Sequence, residues 1–318
     1  MGIDNRTDVQ AISPVQSEHR HYYVLPQCYT SNKLVTEVTR PIGNAHVDLY
    51  GNAVFSAEGL RFHIRGYREL MRGVTQSAVM LLDILLITAA KNGLRDTLVS
   101  LPLSEYMQIR GLTSRKDAMS CAKLDLQALD RISFEYLGRD IRKGEMWQRI
   151  SISGGRIEAV EYGNIAFRFG QDFFDLFCNG KCKNKYSYMY MPCEALKGNT
   201  RHLPYKYWFG RRIALHKRMN IGKGNENKVS VKTLITNAPN YPDYERIRSG
   251  TDRHITERIL DVFERCMNAL GSVITWDYAG AGEVSTYKTF ITAVINAHWQ
   301  HYPYTTNLAL SNKSRGGK

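Results

Sequence analysis

Apolar side chains recur at helical spacing between Thr75 and Ala90, and they are dense enough to form a wide apolar face. This pattern predicts a strong helix with Thr75 as its N-cap. Asn92 and Gly93 are expected to end it. The segment 62–71 predicts a short helix or an ordered lead-in to this element.

A helix-turn-helix pattern comes next. The short strand predicted at 97–101 leads into a helix over 102–110, which ends at Gly111. Ser114 then caps a third predicted helix over 115–129. Two short helices joined by a glycine-containing turn form a helix-turn-helix motif.

Strand-like segments follow the third helix. Their apolar residues and bounding glycines predict strands at 132–136, 148–153, 157–161 and 165–169. Helix, strand, helix-turn-helix and hairpins, in this order, predict a winged helix.

The second half of the chain repeats this order of elements. Its predicted elements are strand 188–191, helix 204–219, strand 229–231, helices 232–237, 243–248 and 253–270, and the hairpin segments 273–278 and 288–297. The sequence therefore predicts an α+β fold with two winged helix-turn-helix domains in tandem. The predicted parts are a disordered tail over 1–20, an N-terminal domain over 21–180, a C-terminal domain over 181–302 and a flexible tail over 303–318.

Composition favours a cytoplasmic globular protein. The 318 residues are 43% apolar and 23% charged, which is ordinary for folded domains. No apolar run approaches the ~20 residues that span a bilayer, and no secretory signal follows Met1. The six cysteines are spread too thinly for a disulfide scaffold.

Positive charge is concentrated in one part of the chain. The net charge is +13, and residues 181–232 contain 13 basic side chains against only Glu194 and Glu226. This excess favours a polyanionic partner, most simply nucleic acid. A solvated basic face remains an alternative. A membrane surface is less favoured, because it needs an amphipathic helix with a broad apolar face and this stretch is predicted to form a strand and a core helix.

Several segments of the chain resemble those of a known protein family. The resemblance lies in segments 103–112, 114–118, 165–170, 173–176, 211–216, 219–220, 255–259, 263–265 and 269–270, within about 60–300. They are similar to prokaryotic plasmid or mobile-element replication initiators of the type called replication initiator protein A. The resemblance implies tandem winged helices that bind repeated origin sites on double-stranded DNA. It also implies duplex opening, recruitment of a host helicase or initiator protein, and an oligomeric state that varies and could be a homodimer.

Candidate DNA contacts follow from the winged-helix prediction, because the second helix of the motif enters the major groove with its N-terminal side chains. The base-reading candidates are Thr113, Ser114, Arg115, Lys116 and Met119 in the first domain, and Thr251, Arg253, His254, Thr256, Glu257 and Arg258 in the second. A solvated helix start is the alternative for both. It is stronger for the second helix, where Asp252, Asp261 and Glu264 join Glu257 in offsetting the positive charge.

Phosphate contacts would supply affinity without sequence choice. The candidates are Lys181, Lys183, Lys185, Arg211, Arg212, Lys217, Arg218, Lys223 and Lys228, with Arg139, Arg142 and Lys143 on the first predicted wing and Lys288 on the second. An internal ion pair is the alternative for Arg211.

Other chemistry finds little support in the sequence. A zinc site would need Cys178, Cys182, Cys193 and His202. The spacing of the first two fits a structural zinc site, but the spacing of the second pair is irregular. Free thiols are therefore favoured, and no metal is predicted. His19 and His21 lack the apolar middle residue of the metal-binding pair in nicking enzymes. No cofactor is predicted, and no nucleophile-base set is found.

Three functions stay open. A non-enzymatic replication initiator is the first, and a winged-helix transcription regulator that represses its own gene is the second. The third is a nicking enzyme with a tyrosine nucleophile, for which Tyr207 is the helical candidate although core packing is its expected role.

Overall fold

The structure is a computed structural model of the whole chain. It describes residues 21–27, 32, 35–36, 39, 46–57, 60–66, 74–94, 96–138, 148–153, 155–161, 163–171, 174, 187–198, 202–243, 247, 256–280, 282 and 284–303. The predicted tail at 1–20 lies outside these ranges, and so does the predicted tail at 303–318 apart from Pro303.

Eight α-helices and thirteen strands lie within these ranges. The helices are α1 (Gln76–Lys91), α2 (Leu103–Arg110), α3 (Arg115–Asp130), α4 (Cys193–Leu196), α5 (Lys206–Asn220), α6 (Val231–Thr236), α7 (Asp261–Asn268) and α8 (Tyr287–Thr292), and a π-helical turn (Thr256–Leu260) precedes α7. The strands are β1 (Tyr22–Gln27), β2 (His46–Val47), β3 (Ala53–Ala57), β4 (Leu60–Ile64), β5 (Leu98–Pro102), β6 (Ile132–Gly138), β7 (Gln148–Ser153), β8 (Gly155–Glu161), β9 (Asn164–Phe169), β10 (Ser187–Pro192), β11 (Lys228–Ser230), β12 (Ile274–Tyr278) and β13 (Val294–Trp299). These elements make a mixed α and β structure with several small antiparallel sheets.

Helix α1 is the central element of the first half. Every residue from Ala78 to Ala90 is buried, as expected for a helix that is apolar on nearly all sides. The Thr75 side chain accepts a hydrogen bond from the N–H of Ala78, and the backbone N–H of Asn92 closes the other end. The predicted helix and both of its ends are confirmed.

The helix-turn-helix of the first half is also confirmed as an arrangement of elements. Helix α2 ends at Gly111, whose φ of 62° is left-handed, and Ser114 begins α3 by accepting a hydrogen bond from the N–H of Asp117. Residues Ala118, Ala122, Leu126 and Leu129 point into the core at helical spacing. Strand β5 pairs with β9, and β9 pairs with β8. We call β5, α2, α3, β8 and β9, with α1, the first unit.

The second half has the same order. Helix α5, strand β11, helices α6 and α7, and strands β12 and β13 come in this order, with α8 between the last two strands, and β13 lies between β11 and β12 in the sheet. In each of the two three-stranded sheets, the strand that comes last in sequence is therefore the central one, and the other two strands form the edges. We call these elements the second unit.

Three expectations from the sequence are corrected. Residues Leu60–Ile64 form strand β4 and no helix, because β4 pairs with both β3 and β6. Strands β6 and β7 belong to the five-stranded sheet β2-β3-β4-β6-β7, so the connection that holds Arg139, Arg142 and Lys143 is not the hairpin beside α3. The hairpin beside α3 is β8–β9.

The third correction concerns the last predicted hairpin. The segment 288–297 is not one strand, because helix α8 occupies its first part and β13 its second. Thr286 forms a capping box with Thr289 at the start of α8, which explains why the chain turns into a helix there.

The two halves share one core. Strand β1, near the start of the chain, pairs with β10, and the Tyr22 hydroxyl donates to the carbonyl oxygen of Gln300 at 2.6 Å. Contacts of this kind join residues on the two sides of the domain boundary predicted near residue 180. That boundary stays a prediction. Within the described residues no helix is long and apolar enough to cross a membrane.

Candidate nucleic-acid interface

The start of helix α3 is an exposed polar surface. Thr113, Ser114, Arg115 and Lys116 are all solvent-exposed there. The Ser114 hydroxyl caps the helix, so its lone pair is used by the N–H of Asp117, although its own proton remains available. The structure brings these four predicted base-reading residues together at one helix end.

Met119 does not belong to this surface. Its side chain is half-buried and packs against the core. The prediction that Met119 reads a base is therefore corrected, because the residue faces the same side of α3 as the buried Ala118 and Ala122.

Three further polar residues extend the exposed surface along α3. Ser120, Lys123 and Gln127 are exposed, and with Lys116 they recur at the spacing of one helix face. The sequence interpretation stopped at the first turn and missed them. The helical spacing opposite the buried stripe was the signal that could have found them.

The turn of the β8–β9 hairpin lies against both helices of the motif. The Gly163 carbonyl oxygen accepts a hydrogen bond from the N–H of Leu103, the first residue of α2, at 2.7 Å. The Arg115 guanidinium lies directly over the Gly163 backbone. The first unit therefore presents a helix end and a hairpin turn side by side.

Burial of a carboxyl group ties α3 to α1. The Ser77 hydroxyl donates to Asp125 Oδ2 at 2.6 Å, and the Arg110 side chain donates to the same Ser77 oxygen at 3.2 Å. Burial raises the pKa of Asp125 to about 6, although its bond from Ser77 acts in the opposite direction.

The corresponding helix of the second unit is less basic. Glu257, Arg258, Asp261 and Arg265 are exposed on it, so the positive and negative charges balance. Glu257 and Arg258 lie where predicted, on the π-helical turn. Thr251, Arg253 and His254 lie outside the described residues, and so does the side chain of Thr256.

Arg211 is not available to a phosphate. Its side chain is 6% exposed, and its Nε donates to Asp83 Oδ2 at 2.8 Å. The Asn32 side chain also accepts a hydrogen bond from Arg211, at 2.6 Å. The predicted phosphate contact is corrected in favour of the internal ion pair that the sequence left open.

Lys217 is also buried. Its side chain has no exposed surface, and its Nζ lies 2.5 Å from Glu226 Oε1 and 2.9 Å from Asn227 Oδ1. The same nitrogen lies 5.1 Å from the centre of the Tyr302 ring. A buried ammonium needs such partners, so its predicted phosphate contact is corrected as well.

Five predicted phosphate contacts remain on or near the surface. Lys223, Lys228 and Lys288 are exposed, whereas Arg212 and Arg218 are half-buried. The Nε atoms of both arginines are buried and have no hydrogen-bond partner in the described part of the chain. Desolvation lowers the pKa of Arg212, which an added anion would offset.

The other predicted phosphate contacts are not placed. Lys181, Lys183, Lys185, Arg139, Arg142 and Lys143 lie outside the described residues.

The residues considered for metal or enzyme chemistry are dispersed. Cys193 is buried and His202 exposed, while Cys178 and Cys182 lie outside the described ranges. Among the described residues no group of three or more potential ligands could hold a metal ion. The Tyr207 hydroxyl is buried and donates to Asp83 Oδ2 at 2.7 Å, which gives it a packing role.

Comparison with known proteins finds only solved structures with a low similarity to this chain among those reported below. No model of a known protein family matches the chain, and no curated protein sequence matches it. A crystal structure of selenomethionine derivatives of domain 2 and domain 3 of RctB is similar with a TM-score of 0.46 and 11% identity, over 84% of this chain and 98% of that chain. A second structure, of RctB domains 2-3, gives 0.39 and 12% over 84% and 95%. Because these scores are low, we take no function from them.

Proposed function

We propose that this chain is a sequence-specific, non-enzymatic double-stranded DNA-binding protein with two winged helices in tandem. The observation that carries the proposal is the exposed start of α3 beside the β8–β9 turn. Arg115 and Lys116 stand there in solvent, and neither makes an ion pair with another described residue. A helix end that presents basic side chains beside a hairpin is what major-groove binding requires.

The arrangement of strands supports two copies of one architecture. In both units the middle strand of the sheet is the last in sequence, and helices of the described ranges lie between the first strand and the second. A shared order of this kind is the basis for assigning a winged helix to each unit. The near-neutral helix of the second unit supports an unequal contribution to binding.

The positive charge supports a nucleic-acid partner after the corrections. Lys223 lies in the loop that joins α5 to β11, Lys228 is the first residue of β11, and Arg218 precedes that loop on the last turn of α5. Phosphate contacts from such side chains would supply affinity that falls as salt rises. Cytoplasmic DNA would be the natural target, with origin repeats the form that the sequence resemblance implies.

We infer a replication initiator as the biological role, and its resemblance to plasmid and mobile-element initiators supports it. The first test is a salt series of binding to duplexes from the genetic neighbourhood of this chain and to scrambled duplexes. We expect steep salt dependence with preference for repeated local sites. Indifference to sequence would leave only a basic nucleic-acid-binding protein, and no binding at low salt would overturn the proposal.

A second experiment separates an initiator from a regulator. A plasmid that holds the local repeats should replicate only when this chain is supplied. Repression of a reporter gene without origin-dependent replication would instead establish the regulator. A metal-dependent nicking assay is expected to stay negative, because Tyr207 is buried and bonded to Asp83.

A further inference from the structure

A glycine at the β8–β9 turn lies beneath an arginine of α3. Gly163 has a φ of +86°, a conformation that favours glycine. A Cβ placed on this residue would lie 2.8 Å from Nη2 of Arg115 and 3.8 Å from its Cζ. Real Cβ atoms do not approach nitrogen so closely, so any side chain at position 163 would move the guanidinium.

The Arg115 guanidinium lies close to the turn in space that a side chain at position 163 would occupy. The guanidinium is exposed and makes no hydrogen bond or ion pair with another residue in the described ranges. Within the described part of the chain, none of its five N–H donors is used.

The turn itself is fixed relative to both helices. The Gly163 carbonyl oxygen accepts from the N–H of Leu103 at 2.7 Å, and Leu103 is buried. The position of the glycine is thus tied to the start of α2, while Arg115 is the first residue of α3. The hairpin turn is therefore bonded to α2 at the point where the Arg115 side chain passes close to it.

We propose that Gly163 is a specificity-determining position, because a residue without a side chain leaves the Arg115 guanidinium room to lie against the turn in the orientation that reads guanine. This inference rests on the proposed DNA-binding function and names the base that the first unit recognises. The planar guanidinium can donate two parallel hydrogen bonds to O6 and N7 of guanine in the major groove. Such a paired contact depends on orientation, which a lysine could not provide. Gly163 acts through Arg115 and is a positioning residue.

The test compares the full-length chain with Arg115→Ala, Gly163→Ala and the double variant. Gly222→Ala is the matched control, because its φ of +77° imposes similar backbone strain while no atom lies within 4 Å of the added Cβ. Each protein selects duplexes from a randomised pool, and the preference for guanine is measured at every position of the selected site. Thermal unfolding confirms that each variant is folded.

We expect Arg115→Ala to reduce the preference for guanine at one position by roughly 5- to 150-fold. Gly163→Ala should reduce it at the same position, and the double variant should equal Arg115→Ala alone. Gly222→Ala should retain the preference of the parent chain. Arg115→Lys, which keeps the charge, should lose the preference but keep the salt dependence, and it tests the arginine even where Gly163→Ala does not fold.

Other outcomes would overturn the inference. Losses that multiply in the double variant would show that the two residues act separately. An unchanged guanine preference in Arg115→Ala, or an equal loss in Gly222→Ala, would also exclude the proposed role while leaving sequence-specific binding intact. A parent chain with no sequence preference at all would instead refute the proposed function, and this inference with it.

Discussion

Arg211 Nε lies 2.8 Å from Asp83 Oδ2, and both side chains are buried although they are 128 residues apart in sequence. The pair joins α5 to α1, the first helices of the two units. The Tyr207 hydroxyl donates to the same carboxylate oxygen at 2.7 Å. The two units are therefore connected by a buried, hydrogen-bonded charge cluster.

Removal of the arginine should strongly destabilise the protein. Arg211→Met leaves the Asp83 carboxylate buried without its counter-charge, and we expect a loss of about 3–5 kcal/mol in the free energy of unfolding. Urea denaturation measures the loss. Arg212→Met is the control, because the neighbouring arginine has no ion pair with a described residue and should cost clearly less. An equal loss in both variants would contradict the role of the ion pair.

Two lysines that the sequence treats alike should behave differently. Lys223 is exposed, so Lys223→Ala should weaken DNA binding and reduce the salt slope by about 1 without loss of stability. Lys217 is buried and donates to Glu226 and Asn227, so Lys217→Met should lower the free energy of unfolding by about 1–3 kcal/mol. Binding titrations over a salt series and urea denaturation give both quantities. A stable Lys217→Met protein that loses one unit of salt slope would contradict the structure.

The buried carboxyl of Asp125 should make stability depend on pH. Its pKa is raised from 3.8 to about 6 in the folded chain, so the folded state binds the proton more tightly than the unfolded state. The resulting stability is present below about pH 4 and is lost as pH rises to about 6, by about 2–3 kcal/mol.

Asp125→Asn should remove this loss between about pH 4 and pH 6. Urea denaturation at several pH values measures it. The exposed Asp117 on the same helix supplies the control, and Asp117→Asn should keep the parent's pH dependence in this window. A parent protein that gains stability over that window would contradict the assignment.

The two units should contribute unequally to DNA affinity. Arg115 and Lys116 lie in an exposed region with Asp117 as the nearby acid, whereas Arg258 and Arg265 alternate with Glu257 and Asp261. We expect Arg115→Ala and Lys116→Ala to weaken specific binding more than Arg258→Ala and Arg265→Ala do. Titration of one repeat-containing duplex at fixed salt compares the four variants. Equal or larger losses in the second pair would show that its helix is the main reader.

Local elements were largely predictable from the sequence. The cap at Ser114, the glycine end of α2 and the apolar spacing of α1 depend on residues only a few positions apart. Interactions of this range are fixed by backbone conformation and side-chain chemistry, so their signals are present in a short window. The strand at Leu60–Ile64 was missed although β3 is close to it in sequence, and its other neighbour, β6, lies about 70 residues further along the chain.

The sequence by itself determined the helix-turn-helix of the first half, the repeated order of elements and the excess of positive charge. Tertiary structure alone decided which cations remain on the surface. Arg211 and Lys217 were both candidates for phosphate contacts, with an internal ion pair as the alternative for Arg211 only, yet both are buried beside their partners Asp83 and Glu226. Tertiary structure also placed Gly163 beneath Arg115, because sheet pairing brings distant residues together and local sequence does not encode which strands will pair.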